Sequence, residues 1–487
     1  MEKIEKWYNK EYLLFILGIA ITLFNTLNLQ QKTVLFLSVP QYLLVFYYII
    51  KKNFRTALLL HAVFTIACVS GGIYIEDGVS PFLYIKCRIY GPLTFNIIIL
   101  VTLWFAVQGK TVKLNKDSML FKVRKTILYL LASGALIGFF GCLFVKYYDW
   151  RYLGLRILFV GEFFLFVDIF AHLYSEKFSK IFAIVTLCMM AASPVASVIS
   201  FSVFGVQAFY GYEVMPFYNP ILALCPCLII ALFQLKNLKL KTISMIGLVF
   251  YVLHTLILSR GSQFLDIFIA LLLLGYLVYF KRSVNFQIKS MRLLLPALII
   301  ALIPLAIESI ISGSDVSLNK FEQFTSLFTV FNPSNNGNSF NFDDVGRSPY
   351  IRLAELSNII YEGKQNVFQL IFGQGFGGFY TDSLHMFAGI DLTRGAFSDE
   401  IVAGGRFYNA HSAIPSVLQY NGLIGLFFMF RLAFYYLRIV DKSFLVFAAF
   451  VLFVQSFYFD LNGCIAFVMA LFGAEYLING KTKEKAL

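Results

Sequence analysis

TILYLLASGALIGFFGCLFV, residues 126–145, runs for twenty residues without a charge. As a helix it is about 30 Å long, the thickness of a bilayer's hydrocarbon core. The six basic residues between Lys110 and Lys125 precede it, and Lys146 follows. An uncharged run of this length bounded by cations reads as a transmembrane helix, and the same unit repeats along the chain. Further apolar runs cover 12–29, 33–50, 56–75, 89–108, 152–174, 180–205, 217–235, 242–258, 263–280, 293–312, 415–437, 443–459 and 463–479, which makes fourteen candidate spans.

The composition agrees. Of the 487 residues, 59% are hydrophobic and 14% charged, against roughly 25% charged in soluble domains. This excludes a soluble enzyme. The net charge of +13 does not point to nucleic acid, because the basic residues sit in short loops between apolar runs and form no separate basic domain. Lys3/Lys6/Lys10, Lys51/Lys52/Arg55, Lys110–Lys125, Lys177/Lys180, Lys236/Lys239/Lys241, Lys281/Arg282/Lys289/Arg292, Arg438/Lys442 and Lys481/Lys483/Lys485 fall on every second connection. The intervening loops hold Glu76, Asp77, Glu213 and Asp460. This alternation predicts an even number of spans with both termini in the cytoplasm. No cleavable leader is expected. The seven cysteines are scattered, mostly within apolar runs, and read as buried thiols rather than a zinc site.

The predicted fold is therefore an all-α polytopic membrane protein of about 12–14 transmembrane helices. It divides into an N-terminal bundle (1–312), a large external loop (313–410) and C-terminal helices (411–487). The loop opens on Asn- and Ser-rich sequence around 332–338, and residues 350–372 place apolar positions at helical spacing. That spacing predicts an amphipathic helix lying on the membrane surface. A loop this long is usually functional.

Three residues on the external face carry chemical interest. Arg260 sits at the outer end of a span, against the charge bias. Arg352 opens the amphipathic stretch, with Arg347 as a rival nearby. His411 stands where the chain re-enters the membrane. A guanidinium fork suits phosphate oxygens, and an imidazole suits removal of a proton from a hydroxyl. Taken singly, each has an ordinary alternative: an interfacial anchor, one polar residue on an amphipathic helix, and a loop cap. The acidic pair Asp343-Asp344 reads as solvated loop rather than a cation site. The letters Gly373-x-Gly375-x-x-Gly378 lack the strand–turn–helix setting of a nucleotide site. Ionisable residues inside spans, Glu162, Asp168, Asp266, Glu308 and Arg431, are expected to pair between helices.

Ser259-Arg260-Gly261-Ser262 resembles the Ser-Arg-Gly motif of the O-antigen ligase and polymerase superfamily. Arg352-Leu353-Ala354-Glu355-Leu356, followed by Phe372-Gly373-Gln374-Gly375-Phe376-Gly377, is similar to that family's arginine-led helix and its Gly-x-Gly-x-Gly turn. Ala410-His411-Ser412-Ala413, with Gly422-Leu423-Ile424-Gly425-Leu426, resembles its histidine motif. The resemblance covers residues 259–426. It implies a metal-independent, inverting glycosyltransferase of the type-C membrane class, without a cofactor, in a bacterial inner membrane and with its site facing the periplasm. The substrates it implies are undecaprenyl-diphosphate-linked glycans as donor and acceptor, with a chain-length regulator and a flippase as possible partners. His411 would be the base. Arg260 and Arg352 (or Arg347) would hold the diphosphate, with Gly373 and Gly375 at the substrate. Polymerisation of a surface polysaccharide is the first reading. The alternatives are a ligase moving finished glycan to lipid A core or protein and, in another class, a lipid-linked glycan flippase or other transporter.

Overall fold

A computed structural model describes residues 10–30, 38–68, 84, 88–90, 93–110, 112, 117–204, 220–258, 347–387, 392, 397, 399–439, 442–456 and 461–484. The expected spans 263–280 and 293–312 lie outside the described residues, as do Arg260, Asp266, Glu308, Asp343 and Asp344.

The described chain is helical, apart from one short antiparallel hairpin, Arg88–Tyr90 with Leu93–Thr94. The first half comprises α1 (Glu11–Gln30), α2 (Val39–Ile50), α3 (Phe54–Ile66), α4 (Phe95–Val107), α5 (Met119–Phe144), α6 (Trp150–Leu173) and α7 (Glu176–Phe204). A 3₁₀ helix, Pro220–Cys227, then leads into α8 (Leu228–Gln234) and α9 (Leu238–Leu258). The second half comprises α10 (Arg347–Gln365), α11 (Val367–Phe372), α12 (Asp399–Gly404), α13 (Ala413–Ile439), α14 (Phe444–Ser456) and α15 (Leu461–Glu484). Side chains cap the starts as local sequence predicts. Asn53, Thr94, Ser118 and Asp149 each accept a backbone amide of the first turn, satisfying donors that a helix start leaves open.

Three helices among the described residues are long and apolar enough to cross a membrane: Met119–Phe144, Glu176–Ser200 and Ala413–Ile439. This is fewer than the fourteen expected. Several predicted spans are helices of 12 or 13 residues, such as Val39–Ile50 and Phe54–Ile66. At about 1.5 Å per residue these fall short of a bilayer's apolar core. The run 217–235 is also interrupted, because Pro226 lies in the 3₁₀ segment ahead of α8. Helix α6 reaches span length but carries Arg151, Arg156, Glu162 and Asp168.

The core forms around α7 and α15. From Cys464 to Phe472 of α15 every residue is almost wholly buried. Small residues bring the helices close: a Cβ on Gly247 of α9 would lie 2.6 Å from Ala191 of α7, and one on Gly18 of α1 would lie 3.0 Å from Ala192. Such contacts drive helix association where lipid removes the hydrophobic gradient. Buried polar groups pair between elements, as expected for Glu162 and Asp168. Thr94 donates to Glu162 at 3.3 Å, and Asp168 accepts from Arg124 at 2.5 Å and from Trp104 at 2.8 Å. Arg431 is exposed. Five of the six described cysteines are buried.

Candidate functional site

The second half builds one compact unit from α10, α11 and the chain to His411. Helix α10 turns Ile351, Ala354, Glu355, Asn358 and Ile359 inward. Protein therefore covers the face that the sequence assigns to the membrane surface. The inward polar residues are tied to the following loop. Asn358 donates to Asp382 at 3.0 Å and accepts the amide of Leu384 at 2.9 Å. Asp382 accepts the amides of Met386 and Phe387 at 2.8 and 2.9 Å. Glu362 accepts the Thr381 amide at 2.8 Å and the Ser383 hydroxyl at 3.0 Å. A two-way backbone bridge joins Tyr380 to Phe407, at 3.1 and 2.8 Å. This lattice fixes the segment that carries His411.

Glu355 is fully buried, and both of its oxygens point at His411. Oε1 lies 2.5 Å from the ring Nδ1, and Oε2 accepts the His411 backbone N–H at 2.9 Å. A carboxylate only accepts, so Nδ1 carries a proton and the neutral ring keeps its lone pair on Nε2. The ring stays one-quarter exposed, with Phe397 edge-on at 4.6 Å between centroids. A buried carboxylate on Nδ1 thus fixes the orientation of an imidazole that remains partly exposed. Behind the pair, Tyr380 is buried. Burial and the neighbouring Glu355 carboxylate push its hydroxyl well above the ordinary tyrosine range, so it stays protonated.

The glycines pack into the helical bundle. The Gly373–Gly377 turn is wedged between α5 and a break in α13 at Gly422, where φ is 62° and ψ −161°. The break frees helix carbonyls, and the turn fills them: Gln374 N–H donates to Gln419 O at 2.7 Å and Gly375 N–H to Tyr420 O at 3.1 Å. Gly375 has φ +74°, and a Cβ there would stand 2.2 Å from the Gly138 nitrogen. The amides of Gly373 and Gly375 thus bond to protein carbonyls and their α-carbons face backbone.

Of the three predicted arginines, only Arg352 has a described side chain. Arg352 is exposed and has no ion pair among the described residues. Arg347 is the first residue of α10. A different arginine contacts the segment that leads to the histidine. Arg156 of α6 donates to Asn409, two residues before His411, at 2.8 Å. Its guanidinium lies 4.9 Å from the Tyr420 ring centroid. It is half-buried, and no carboxylate pairs with it among the described residues. An arginine near the start of the apolar run 152–174 was the signal available in the sequence.

No family model, curated protein or solved structure matches this chain. The fold and site define a helical, membrane-compatible protein with a buried carboxylate clamped to a partly exposed histidine.

Proposed function

We propose that this protein is a type-C membrane glycosyltransferase that polymerises a surface polysaccharide from undecaprenyl-diphosphate-linked units. The observation that carries the reading is the Glu355–His411 pair. Two further features support it. The resemblance rests on sequence pieces far apart along the chain, and two of these pieces are in direct contact: Glu355 from the arginine-led helix bonds His411, and the glycine turn sits in the break at Gly422. Arg156 also offers a half-buried guanidinium beside that site, suited to phosphate oxygens.

In this mechanism His411 Nε2 takes the proton of the acceptor hydroxyl. The acceptor oxygen attacks the anomeric carbon of the donor sugar from the face opposite the diphosphate. The carbon–oxygen bond to the diphosphate breaks, the lipid diphosphate leaves with the electron pair, and the configuration inverts. Glu355 holds the ring in the productive tautomer and stabilises the imidazolium that forms. The carrier-protein reading draws on the broken helix α13, because broken helices line ion and substrate sites in transporters. Here the carbonyls of Gln419 and Tyr420 are bonded to the inserted turn, which speaks for the enzyme.

The test is glycan profiling of a deletion strain complemented with wild type or His411→Ala. Single repeat units in the variant and polymer in the wild type are expected. Full-length polymer stranded on its lipid carrier would identify a ligase. An unchanged glycan profile would remove the enzyme reading.

A further inference from the structure

The turn between α5 and α6 holds a residue in an unfavourable conformation. Tyr147 has φ 75°, a region bulky side chains rarely occupy and one that tends to mark functional sites. The residue is 48% exposed. Two cations meet it, Arg406 with its guanidinium carbon 3.7 Å from the centroid and Lys146 with its ammonium at 4.9 Å. The Tyr408 hydroxyl donates to the Tyr147 carbonyl at 3.0 Å, fixing the turn against the segment that leads to His411. Neither Lys146 nor Arg406 has an ion pair among the described residues. The nearest acid in sequence, Asp149, instead caps α6 by accepting the Arg151 amide at 2.7 Å. Two like charges gathered at one ring repel each other, and an anion bound beside them lowers that cost.

The surroundings indicate which anion. Directly before the turn, Leu136, Phe140, Leu143 and Phe144 of α5 are exposed, Phe144 to 79%, and Trp150 beyond the turn is half-exposed. A long apolar face ending in aromatic and basic residues matches the boundary between hydrocarbon and headgroups. We propose that Lys146, Tyr147 and Arg406 bind the phosphate of an anionic phospholipid whose acyl chain lies along the exposed face of α5. The site ties the segment carrying His411 to the bilayer, and it does not depend on the glycosyltransferase reading.

The test uses the full-length protein in nanodiscs of phosphatidylcholine mixed with phosphatidylglycerol, with bound lipid read by native mass spectrometry. Phosphatidylglycerol is expected to be retained preferentially. The double variant Lys146→Gln/Arg406→Gln is expected to lower that retention by about tenfold or more, whereas Arg406→Lys, which keeps the charge, retains most of it. Thermal melting of each variant shows that the fold is unchanged. Equal retention of both lipids, or equal retention by wild type and the double variant, overturns the proposal. Displacement of phosphatidylglycerol by equimolar undecaprenyl diphosphate also overturns it and gives the site to a substrate carrier.

Discussion

Asp168 and Glu355 are both buried carboxylates, 2% and 0% exposed, and they are held in different ways. Asp168 stands in the helical bundle against Arg124 at 2.5 Å and the Trp104 indole at 2.8 Å, with His172 Nε2 at 3.5 Å. His172 turns Nδ1 to the Lys110 carbonyl at 2.6 Å, so its proton there is committed to an acceptor. The principal partner of Asp168 is a guanidinium, which keeps its charge at any working pH. Among the described residues Glu355 has no such cation. Its two hydrogen bonds at 2.9 and 2.5 Å come from one histidine whose ring reaches the surface. The first arrangement fastens helices together. The second orients a partly exposed imidazole from a buried carboxylate.

This difference gives the largest expected effect. Glu355→Gln keeps the size of the side chain but removes the charge that orients and stabilises a protonated His411. Polymer formation in isolated membranes is expected to fall by about 10²–10⁴-fold, while the protein still melts near the wild-type temperature. Activity within a few-fold of wild type would mean that the pair is only structural, like Asp168.

Asp168→Asn is the matched control, and its effect runs the other way. Removing one partner of a buried ion pair costs about 3–5 kcal/mol. The lower end is expected here, because the Arg124 side chain is 28% exposed and recovers some solvation. Melting in detergent should move to clearly lower temperature, with the rate per folded molecule unchanged. A specific loss of turnover without destabilisation would dissolve the distinction between the two carboxylates.

Gly422→Ala addresses the joint between the two regions. The position has φ 62°, and an added Cβ would lie 2.4 Å from both the Gly373 nitrogen and the Ile371 carbonyl oxygen. Left-handed strain of about 1–3 kcal/mol adds to the clash. The expected outcome is loosening of the glycine turn, seen as faster hydrogen exchange at Gln374 and Gly375 with slower exchange retained in α7. Unchanged protection at the turn would show that the break in α13 does not depend on the wedge.

Much of the helical framework is legible from hydropathy. Helices α5, α7 and α13 follow from apolar runs of full span length, and His411 stands out because the chain re-enters apolar sequence there. The shorter elements are less legible. Runs such as 33–50 and 217–235 are apolar throughout, so hydropathy does not show where the helix within them starts or breaks. Glu355 lies inside the arginine-led motif, yet nothing in the sequence gives it a role. On an amphipathic helix a glutamate reads as a solvated position, and its partner lies 56 residues downstream. Arg156 was hidden for a related reason: its partner Asn409 is 253 residues away, a distance over which local pattern carries no information. The glycine turn was legible as a turn, but its insertion against Gly138 and Gly422 follows only from the packing of α5 against α13.

The smallest expected effects concern the arginines. They test whether the site extends from His411 towards α6 or along the outside of α10. Arg156 is anchored by Asn409 and Tyr420. A lysine there keeps the charge but loses the planar fork that meets two phosphate oxygens together. Arg156→Lys should lower polymer synthesis by about tenfold, the effect of one lost hydrogen bond to a charged group. Arg352 is exposed, and no described side chain positions it, so Arg352→Lys should stay within about twofold of wild type, as for a surface substitution. If the ranking is reversed, bound substrate must draw Arg352 into the site. The exposed face of α10 would then belong to the diphosphate path, and Arg156 would join Asp168 among the groups that only hold the helices together.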